Sequence, residues 1–289
     1  MKIKILIPVF NDWQSLSKLM NNIDNEIQNI SHEISVIIVD DASTFDRQLE
    51  IENLSNINSV KILVMKENRG HARCIAAGLK YILEKEEFNY VIPMDGDGED
   101  RPEEIKSLIE KTKENRSLSV VAKRVKRSEG PFFQFLYQLH KVITFIFTGK
   151  NVNFGNYSIL TRSDVEKLHS KASLWSSYSG SVKKNLKSFK EINSTRGLRY
   201  FGPSQMSLFK LVVHSFSIIA VFKYQVFLRS TLMLIALAYL NSYLGTLATF
   251  FQISIVIFNL IIFIVSLREQ KKDLLNSHNN LASVKKITH

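Results

Sequence analysis

The first 125 residues alternate short apolar runs with stretches of helical periodicity. The apolar runs, each bounded by turn residues, lie at positions 3–9, 34–39, 60–64, 90–94 and 119–122. Such runs predict buried strands. Two intervening stretches carry apolar residues at helical spacing, namely Leu16, Leu19, Met20 and Ile23, and then Ile75, Leu79, Ile82 and Leu83. Apolar strands that alternate with helices predict an α/β fold, in which a mainly parallel sheet carries helices on both faces.

The chain changes character after about residue 205. Residues 226–267 are overwhelmingly apolar and carry one charge, Arg229, while a polar break at 241–243 divides them into two pieces. Each piece is close to the ~20 residues that cross a bilayer, and basic residues stand at both outer ends. We therefore predict a hairpin of two transmembrane helices with both ends in the cytoplasm. Two helices buried in a soluble core would give the same pattern, although the length and low charge favour the membrane.

The segment just before this pair, "MSLFKLVVHSFSIIAVFKY", has apolar residues at helical spacing that Lys210 and His214 interrupt. This pattern predicts an amphipathic helix that lies in the headgroup region of a membrane. The predicted organisation is a cytosolic α/β domain at 1–205, an interfacial helix at 206–224, two transmembrane helices at 225–267 and a cytosolic basic tail at 268–289. The pattern thus predicts an integral membrane protein with its α/β domain on the cytoplasmic face.

The charge balance indicates an anionic partner, because 38 lysine and arginine residues outnumber 27 aspartate and glutamate residues for a net charge of +11. Phosphorylated substrates and lipid headgroups fit this excess, whereas nucleic acid does not, because the basic residues lack interleaved aromatic residues. One basic group either faces anionic lipid or forms a solvated surface: Lys183, Lys184, Lys187, Lys190, Arg196 and Arg199. The single cysteine, Cys74, excludes an internal disulfide and is interpreted as a buried side chain.

Polar clusters follow three of the predicted strands: "PVFND" after the first, "VDDAS" after the second and "MDGDGED" after the fourth. Parallel strands bring such clusters to one edge of the sheet. Carboxylates gathered there without nearby bases would repel one another, so a cation is their natural counter-charge. Asp95 and Asp97 suit Mg²⁺ or Mn²⁺ with diphosphate oxygens completing the shell, and Gly96 and Gly98 let the backbone approach a ligand. Glu103 and Glu104, which follow Pro102, are interpreted as the start of a helix.

Other acidic motifs fit this stretch less well. An EF-hand loop requires glycine at its sixth position, where this chain has Asp100. A phosphatase with an aspartyl nucleophile requires threonine or valine at the fifth position, where this chain has Glu99, and it places the motif after its first strand. An ordinary acidic turn remains compatible with the local sequence. The agreement of all three clusters favours a cation site.

Four stretches, "LIPVFNDWQSL", "VIIVDDAST", "NRGHARCIAAGL" and "MDGDGEDRPEEI", resemble the successive motifs of family 2 glycosyltransferases with the GT-A fold. The subgroup that they resemble most is the polyprenyl-phosphate, or dolichyl-phosphate-like, glycosyltransferases. The resemblance covers roughly residues 1–130 and continues more weakly to about 220. It implies a membrane-anchored, inverting transferase that moves a sugar from a nucleotide-diphosphate sugar to a polyprenyl phosphate with Mg²⁺ or Mn²⁺. It also implies the bacterial inner membrane as the location.

Carried onto this sequence, the resemblance implies roles for individual residues. The donor-binding positions are Pro8, Asp40, Asp41, Arg69, Asp95 and Gly96. Asp95 and Asp97 would hold the metal, and Glu99 would be a third metal or sugar contact at a place where relatives often have glutamine. Arg124 and Arg127 match a basic pair after the fifth strand that neutralises phosphate groups. Asp97, Glu99, Arg124 and Arg127 are therefore the candidate catalytic residues.

The sequence departs from the subgroup at "NFGNYSILTR", where relatives commonly have Gly-Asp-Phe-Arg-Leu. Asn156 and Ser158 replace the acid and the arginine, which weakens the lipid-phosphate assignment, and Arg162 is a candidate substitute. Family members that act on hydroxyl groups instead carry a carboxylate that serves as the catalytic base, followed by a Gln-x-x-Arg-Trp motif. Between residues 165 and 200 the only acids are Glu166 and Glu191, and that motif is missing. A phosphate acceptor is already anionic and needs no strong base, so the missing motif favours it.

Two other functions remain open at this level. One is a transferase of the same fold that acts on a hydroxyl of a lipid-linked or surface glycan. The other is a non-catalytic membrane subunit that binds a nucleotide sugar. The histidines His71, His140 and His214 show no metal-ligand spacing, and most of them are interpreted as structural. The sequence also leaves homo-oligomerisation open.

Overall fold

The computed structural model describes residues 1–45, 54–126, 131–202 and 207–287. Within these residues, eight strands form one sheet in the order β7-β5-β6-β4-β1-β2-β3-β8. The strands are β1 (Lys2–Val9), β2 (Glu33–Asp40), β3 (Ser59–Met65), β4 (Tyr90–Pro93), β5 (Val120–Lys126), β6 (Phe154–Thr161), β7 (Lys190–Thr195) and β8 (Leu281–Ile287). β6 and β8 run antiparallel to their neighbours, and the remaining strands run parallel to one another. The predicted mainly parallel sheet and its five strands are confirmed.

Helices cover both faces of this sheet. Those of the α/β domain are α1 (Trp13–Ile27), α2 (His71–Lys85), α3 (Ile105–Lys113), α5 (Arg162–Leu168), α6 (Ala172–Ser176) and α7 (Tyr178–Asn185). The helix α4 (Pro131–Thr148) instead packs against the apolar helices that follow residue 207. The strand β1 shows why the sheet is apolar throughout, because Ile5 packs with the α1 and α3 side while Leu6 packs with the α2 side. Alternate residues of a central strand face opposite layers, so both faces are buried.

The helix α4 was not predicted from the sequence. It follows β5 directly and carries apolar residues around most of its circumference, in the segment "PFFQFLYQLHKVITFIFT". The side chains of Phe135 and Phe145 are 63% and 61% exposed, which is unusual for large apolar residues on a helix of a folded domain. Because polar residues interrupt the apolar run at several points, its periodicity resembles neither a buried strand nor a two-faced helix.

The apolar segments after residue 207 form α8 (Leu208–Ala220), α9 (Lys223–Tyr239), α10 (Asn241–Leu244) and α11 (Thr246–Ser266). The break between α9 and α11 lies where the sequence predicted it, and Gly245 occupies it with a positive φ of 54°. α9 packs against α11 and against α4. Large apolar side chains on these helices are widely exposed, for example Leu232 at 59% and Leu260 at 59%.

One helix among the described residues is long and apolar enough to cross a bilayer, and it contains α11. The most apolar window of this helix has a mean hydropathy of 2.5, and 17% of the window is buried. α8 and α9 would together supply a second span only if they were counted as one, but they meet at an angle of 85°. The apolar composition therefore supports one membrane crossing, and a hairpin of two crossings stays a prediction.

The residues after α11 return to the sheet. The sequence predicted a basic cytosolic tail at 268–289, whereas the chain forms α12 (Lys271–Leu275), a short 3-10 helix (Ser277–Asn280) and then β8. β8 pairs with β3, for example Leu63 with Val284, and so adds an edge strand to the α/β domain. The chain thus leaves the domain before α8 and rejoins it after α11, which places both flanks of the apolar helices at the same domain.

Candidate active site

The loops after β1, β2 and β4 meet at one edge of the sheet, as their positions in the sequence predicted. Strands β1 and β2 end together, with Val9 opposite Asp40. The side chain of Asn11 joins their loops, because its Oδ1 accepts a hydrogen bond from Thr44 N at 2.8 Å and its Nδ2 donates to Thr44 Oγ1 at 3.0 Å. The β4 loop begins beside them, where Met94 N donates to Leu6 O at 3.0 Å.

The loop that contains Asp95 and Asp97 is held by its own side chains. Asp100 Oδ2 accepts from Asp95 N at 2.9 Å, and Asp97 Oδ1 accepts from Glu99 N at 3.1 Å. Gly96 allows the loop to approach β1, because a Cβ at this position would lie 3.1 Å from the carbonyl oxygen of Pro8. Pro8 therefore shapes the loop through its backbone, and its predicted contact with a nucleotide stays a prediction.

Asp95 is surrounded by donors. His71 Nε2 and Asn156 Nδ2 both lie 3.1 Å from Asp95 Oδ1, and Arg124 Nη2 lies 4.0 Å from Asp95 Oδ2. Burial alone would raise the pKa of Asp95, but the nearby His71, Arg196 and Arg124 together lower it below the usual range of a carboxyl group. Asp95 is consequently ionised at neutral pH. The start of α2 brings the ring of His71 to this carboxylate, a role that the sequence did not indicate.

Asp97 has a different environment. Arg199 Nη1 lies 2.8 Å from Asp97 Oδ2, and the side chain of Asp97 is 19% exposed. Burial and the neighbouring charge of Asp95 raise the pKa of Asp97 to about 6, although Arg196 and Arg199 act in the opposite direction. Burial likewise raises the pKa of Asp100 well above its ordinary value. Negative charge is thus crowded at this edge even with arginines beside it.

Arg196 and Arg199 supply much of the counter-charge, which corrects the sequence analysis. From the sequence, both residues were predicted to belong to a lipid-facing or solvated basic group, and no base was predicted near the carboxylates. Arg199 in fact forms ion pairs with Asp12 and Asp97, and Arg196 forms an ion pair with Glu99. No local sequence pattern marks these two arginines. They reach this edge because they follow β7, which pairs in parallel with β5.

The segment after β7 lies directly across the acidic loop. Gly197 N donates to Glu99 O and Tyr200 N donates to Asp97 O, both at 2.9 Å. The Tyr200 ring packs on Gly98, which has a φ of 89° and leaves no room for a Cβ. Backbone bonds therefore hold the two arginines over the carboxylates.

Arg124 is the one member of the predicted basic pair that the structure describes, since Arg127 lies outside the described residues. The Arg124 side chain is 19% exposed, and its Nη2 lies 3.9 Å from Asp100 Oδ1. Gly155 makes space for the guanidinium group, because a Cβ at that position would collide with it. Arg124 therefore stands at the rim of the acidic loop, where a planar, permanently charged group can contact phosphate oxygens.

The predicted donor-binding residues Asp40, Asp41 and Arg69 lie at the end of β2 and after β3, and both carboxylates accept hydrogen bonds from backbone N–H groups. Asp41 Oδ1 accepts from Arg69 N at 2.7 Å, and its Oδ2 accepts from Gly70 N at 2.8 Å. Asp40 Oδ1 accepts from Ser43 N at 2.8 Å. The side chain of Arg69 pairs with Glu67 at 2.5 Å. These bonds position the start of α2, and the nucleotide contacts of Asp40, Asp41 and Arg69 stay predictions.

The residues that depart from the subgroup pattern have separate roles. Asn156 lies at the site through its bond to Asp95, whereas the Ser158 hydroxyl is buried and bonds to Asn156 O at 2.9 Å and Tyr178 Oη at 2.5 Å. Arg162 cannot replace the missing arginine, because it lies at the amino-terminal edge of the sheet. There its backbone N donates to Asn89 O at 3.1 Å and its guanidinium carbon lies 5.1 Å from the centre of the Phe88 ring.

The donor set suits a divalent cation that shares its ligands with a substrate. Across the described residues, no group of three or more His, Cys, Asp or Glu side chains is arranged to hold a metal ion. Asp95 and Asp97 nonetheless offer two neighbouring carboxylates, while Glu99 is engaged by Arg196. Mg²⁺ typically takes one or two protein carboxylates together with substrate phosphates. The residues therefore fit a cation that arrives with a diphosphate, rather than a site closed by the protein alone.

The raised pKa of Asp97 predicts a specific effect of pH on stability. Because its folded pKa is about 6, against an ordinary value of 3.8, the folded state takes up a proton before the unfolded state does. The ionised carboxylate thus costs stability above pH ~6, and this cost is relieved as the pH falls towards ~4. We expect metal-free Asp97→Asn protein to unfold at a higher temperature than wild type at pH 8, with the gap shrinking at pH 5. Thermal unfolding in a chelating buffer measures this, and a gap that grows on acidification would refute it.

Comparisons with known proteins identify relatives of this chain. A dolichol-phosphate mannosyltransferase of Pyrococcus furiosus is 28% identical over 139 residues, which are 47% of this chain and 38% of that protein. An undecaprenyl-phosphate 4-deoxy-4-formamido-L-arabinose transferase of Proteus mirabilis is 26% identical over 164 residues, which are 56% of this chain and 48% of that protein. The chain thus spans less than half the length of these curated relatives.

Solved structures share the fold. The glucosyl-3-phosphoglycerate synthase of Mycobacterium tuberculosis, in complex with Mn²⁺, UDP and its product, aligns with a TM-score of 0.53 at 15% identity, over 78% of this chain and 79% of that one. The mannosyl-3-phosphoglycerate synthase of Rubrobacter xylanophilus aligns with a TM-score of 0.52 at 12% identity, over 76% and 72%. The predicted GT-A fold is confirmed. Since the profile of glycosyl transferase family 2 matches residues 4–177, the chain belongs to that family.

Proposed function

We propose that this protein is a membrane-anchored, inverting glycosyltransferase that moves a sugar from a nucleotide-diphosphate sugar to a polyprenyl phosphate. The observation that carries the proposal is the pair Asp95 and Asp97, set with Arg124 at the carboxyl-terminal edge of a family 2 sheet. The names of the two curated relatives, which refer to dolichol phosphate and undecaprenyl phosphate, support the choice of acceptor.

The donor half of the reaction follows from charge. Asp95 and Asp97 would hold a Mg²⁺ or Mn²⁺ ion, which neutralises the charge that develops on the departing nucleoside diphosphate. Arg124 already lies at the rim of the loop and would contact the same phosphates. Arg196 and Arg199 are paired with carboxylates in the free protein, and a bound cation would release their guanidinium groups towards the diphosphate. Asn156 and His71 would keep Asp95 oriented while this exchange takes place.

The acceptor half requires an oxygen nucleophile. An oxygen of the lipid phosphate would attack the anomeric carbon on the face opposite the diphosphate, so that the new C–O bond forms as the bond to the diphosphate breaks and the configuration inverts. This oxygen is already anionic, so no side chain has to remove a proton.

The membrane half of the proposal rests on the apolar helices. α11 would cross the bilayer and α9 would cross back beside it, because the break at Gly245 lets them pack together. α4 and α8 would lie in the headgroup region with their exposed apolar side chains in lipid. Because the chain rejoins the α/β domain after α11, both flanks of the hairpin lie on one side. We assign that side to the cytoplasm, in the bacterial inner membrane, since basic residues flank the hairpin.

An acceptor competition tests the proposal against its nearest alternative. Purified protein in lipid is incubated with Mn²⁺, a panel of nucleotide sugars, and equal amounts of undecaprenyl phosphate and undecaprenol. We expect one donor to label undecaprenyl phosphate alone. Its phosphate oxygen is already anionic, whereas the hydroxyl of undecaprenol would need a base to remove its proton. Labelling of undecaprenol, or of an added lipid-linked glycan, would instead support a hydroxyl-directed transferase. Binding of a donor without its cleavage or transfer would support a non-catalytic subunit.

A further inference from the structure

A cavity of ≈320 Å³ lies between the α/β domain and the segment that follows α11. Its lining includes Lys171 and Lys184, which belong to the region of α6 and α7, and Glu269 and Lys271, which follow α11. The cavity is remote in sequence from the acidic loop of the active site. Its lining shares no residue with that loop, so it is a separate feature, formed where the apolar helices join the domain.

The charge of this cavity is positive. Lys171 and Lys271 are exposed, and neither forms an ion pair within the described residues. Lys184 Nζ donates to the carbonyl oxygen of Val221 at 2.6 Å, which leaves its charge uncompensated. The one carboxylate, Glu269, is already neutralised by Lys223 at 3.0 Å. The cavity therefore has three lysine charges, while the charge of its one carboxylate is already neutralised, and this net positive charge favours an anionic ligand.

The cavity also contains a hydrogen-bond acceptor atom that receives no hydrogen bond. The side chain of Glu269 is 8% exposed, and its Oε1 has no hydrogen-bond partner among the described residues. A buried polar atom without a partner is destabilising, so a ligand with a hydroxyl donor would gain from bonding to it. An anion that also carries hydroxyl groups fits this combination better than a bare phosphate ion does.

If α9 and α11 lie in the bilayer as proposed, the cavity lies at the level of the lipid headgroups. Glu269 and Lys271 follow the end of α11 at Ser266 by a few residues, which is less than about 8 Å of chain at helical rise. On the other side, Lys184 bonds to Val221, immediately before the start of α9. Both apolar helices therefore leave the bilayer at the level of this cavity.

We propose that this cavity binds the headgroup of an anionic phospholipid, with the phosphodiester at Lys171 and Lys271 and a headgroup hydroxyl at Glu269. Basic pockets beside membrane helices on the cytoplasmic side are suited to anionic headgroups. The bound lipid would hold α6 and α7 against the membrane surface. This would fix the tilt of the α/β domain, and with it the direction in which the active-site cleft faces the bilayer.

Native mass spectrometry of the full-length protein in detergent tests this site. The protein is titrated with phosphatidylglycerol and, separately, with phosphatidylcholine. We expect selective adducts of phosphatidylglycerol, and we expect Lys171→Gln/Lys271→Gln to weaken them roughly tenfold or more, because each lysine near such a headgroup contributes about 1 kcal/mol. The matched control is Lys106→Gln/Lys113→Gln on α3, which removes the same charge from exposed positions away from the cavity and should leave the adducts unchanged.

Three results would overturn the proposal: equal weakening in the control, equal binding of both lipids, or displacement of phosphatidylglycerol by an equal concentration of inorganic phosphate. The last would identify a site for soluble phosphate. Because the headgroup depth rests on the proposed membrane anchor, extraction of the wild-type membranes with alkaline carbonate is measured in parallel. Release of the protein would refute the anchor, while the adduct comparison decides the cavity independently. Sugar transfer by the cavity variant is also recorded, so that loss of the lipid site is distinguished from loss of the enzyme.

Discussion

Replacing Asp97 with asparagine is expected to lower kcat/KM for sugar transfer by at least about a thousandfold, even at saturating Mn²⁺. The amide keeps the size of the side chain but removes the charge that would hold the cation against the diphosphate. Asp95 cannot compensate, because His71, Asn156 and Arg124 already surround it. Steady-state transfer to undecaprenyl phosphate, with the donor identified by the acceptor competition, measures the effect.

The control for this variant is Glu103→Gln, which removes one negative charge from the same stretch. Glu103 pairs with Arg101 at 3.5 Å and its side chain is 51% exposed, so transfer should stay within about twofold of wild type. Binding of Mn²⁺ to each protein in the presence of nucleoside diphosphate provides a second readout. Full transfer by Asp97→Asn would show that the acidic loop does not hold the catalytic cation.

Replacing Arg124 with alanine is expected to lower kcat/KM by about a hundredfold to a thousandfold. Its guanidinium lies within 4.0 Å of both Asp95 and Asp100, so it stands where charge develops on the departing diphosphate. Arg124→Lys keeps the charge but loses the planar fork, and it should recover only part of the rate. The same transfer assay measures both variants, with kcat and KM determined separately.

Arg116→Ala serves as the matched control, because this exposed arginine follows α3 outside the site. Its activity should equal that of wild type. If Arg124→Ala changed KM for the acceptor alone and left donor cleavage intact, the residue would belong to the acceptor phosphate rather than to the diphosphate. If it changed neither constant, the assignment of Arg124 to the active site would be contradicted.

The central strands and the acidic loop could be predicted from the sequence because each has a local signal. A strand buried on both faces is a continuous apolar run, and β1 to β5 each contain one. The rule that ligands bind at the carboxyl ends of parallel strands then points to Asp95 and Asp97 from the sequence alone. The edge strands carry no such signal, since β7, "KEINST", and β8, "LASVKKI", are largely polar or alternate.

The arginines of the site could not be predicted, because their partners are distant in the chain. Arg199 is 102 residues away from Asp97, and Arg196 is 97 residues away from Glu99. Their placement depends on β7 pairing with β5, and that pairing has no local pattern. His71 was missed for a related reason, since its role arises only when the start of α2 is brought to the end of β4. Long-range pairing, rather than residue type, decided which bases reached the carboxylates.

The central claim is tested most directly by following the acceptor phosphorus and the sugar in one product. Wild-type protein in lipid is given phosphorus-labelled undecaprenyl phosphate, carbon-labelled donor sugar and Mn²⁺, and the purified lipid product is counted for both labels. We predict one sugar per acceptor phosphorus, with release of one nucleoside diphosphate. A labelled sugar on a product that lacks the acceptor phosphorus, or release of nucleoside monophosphate, would contradict it.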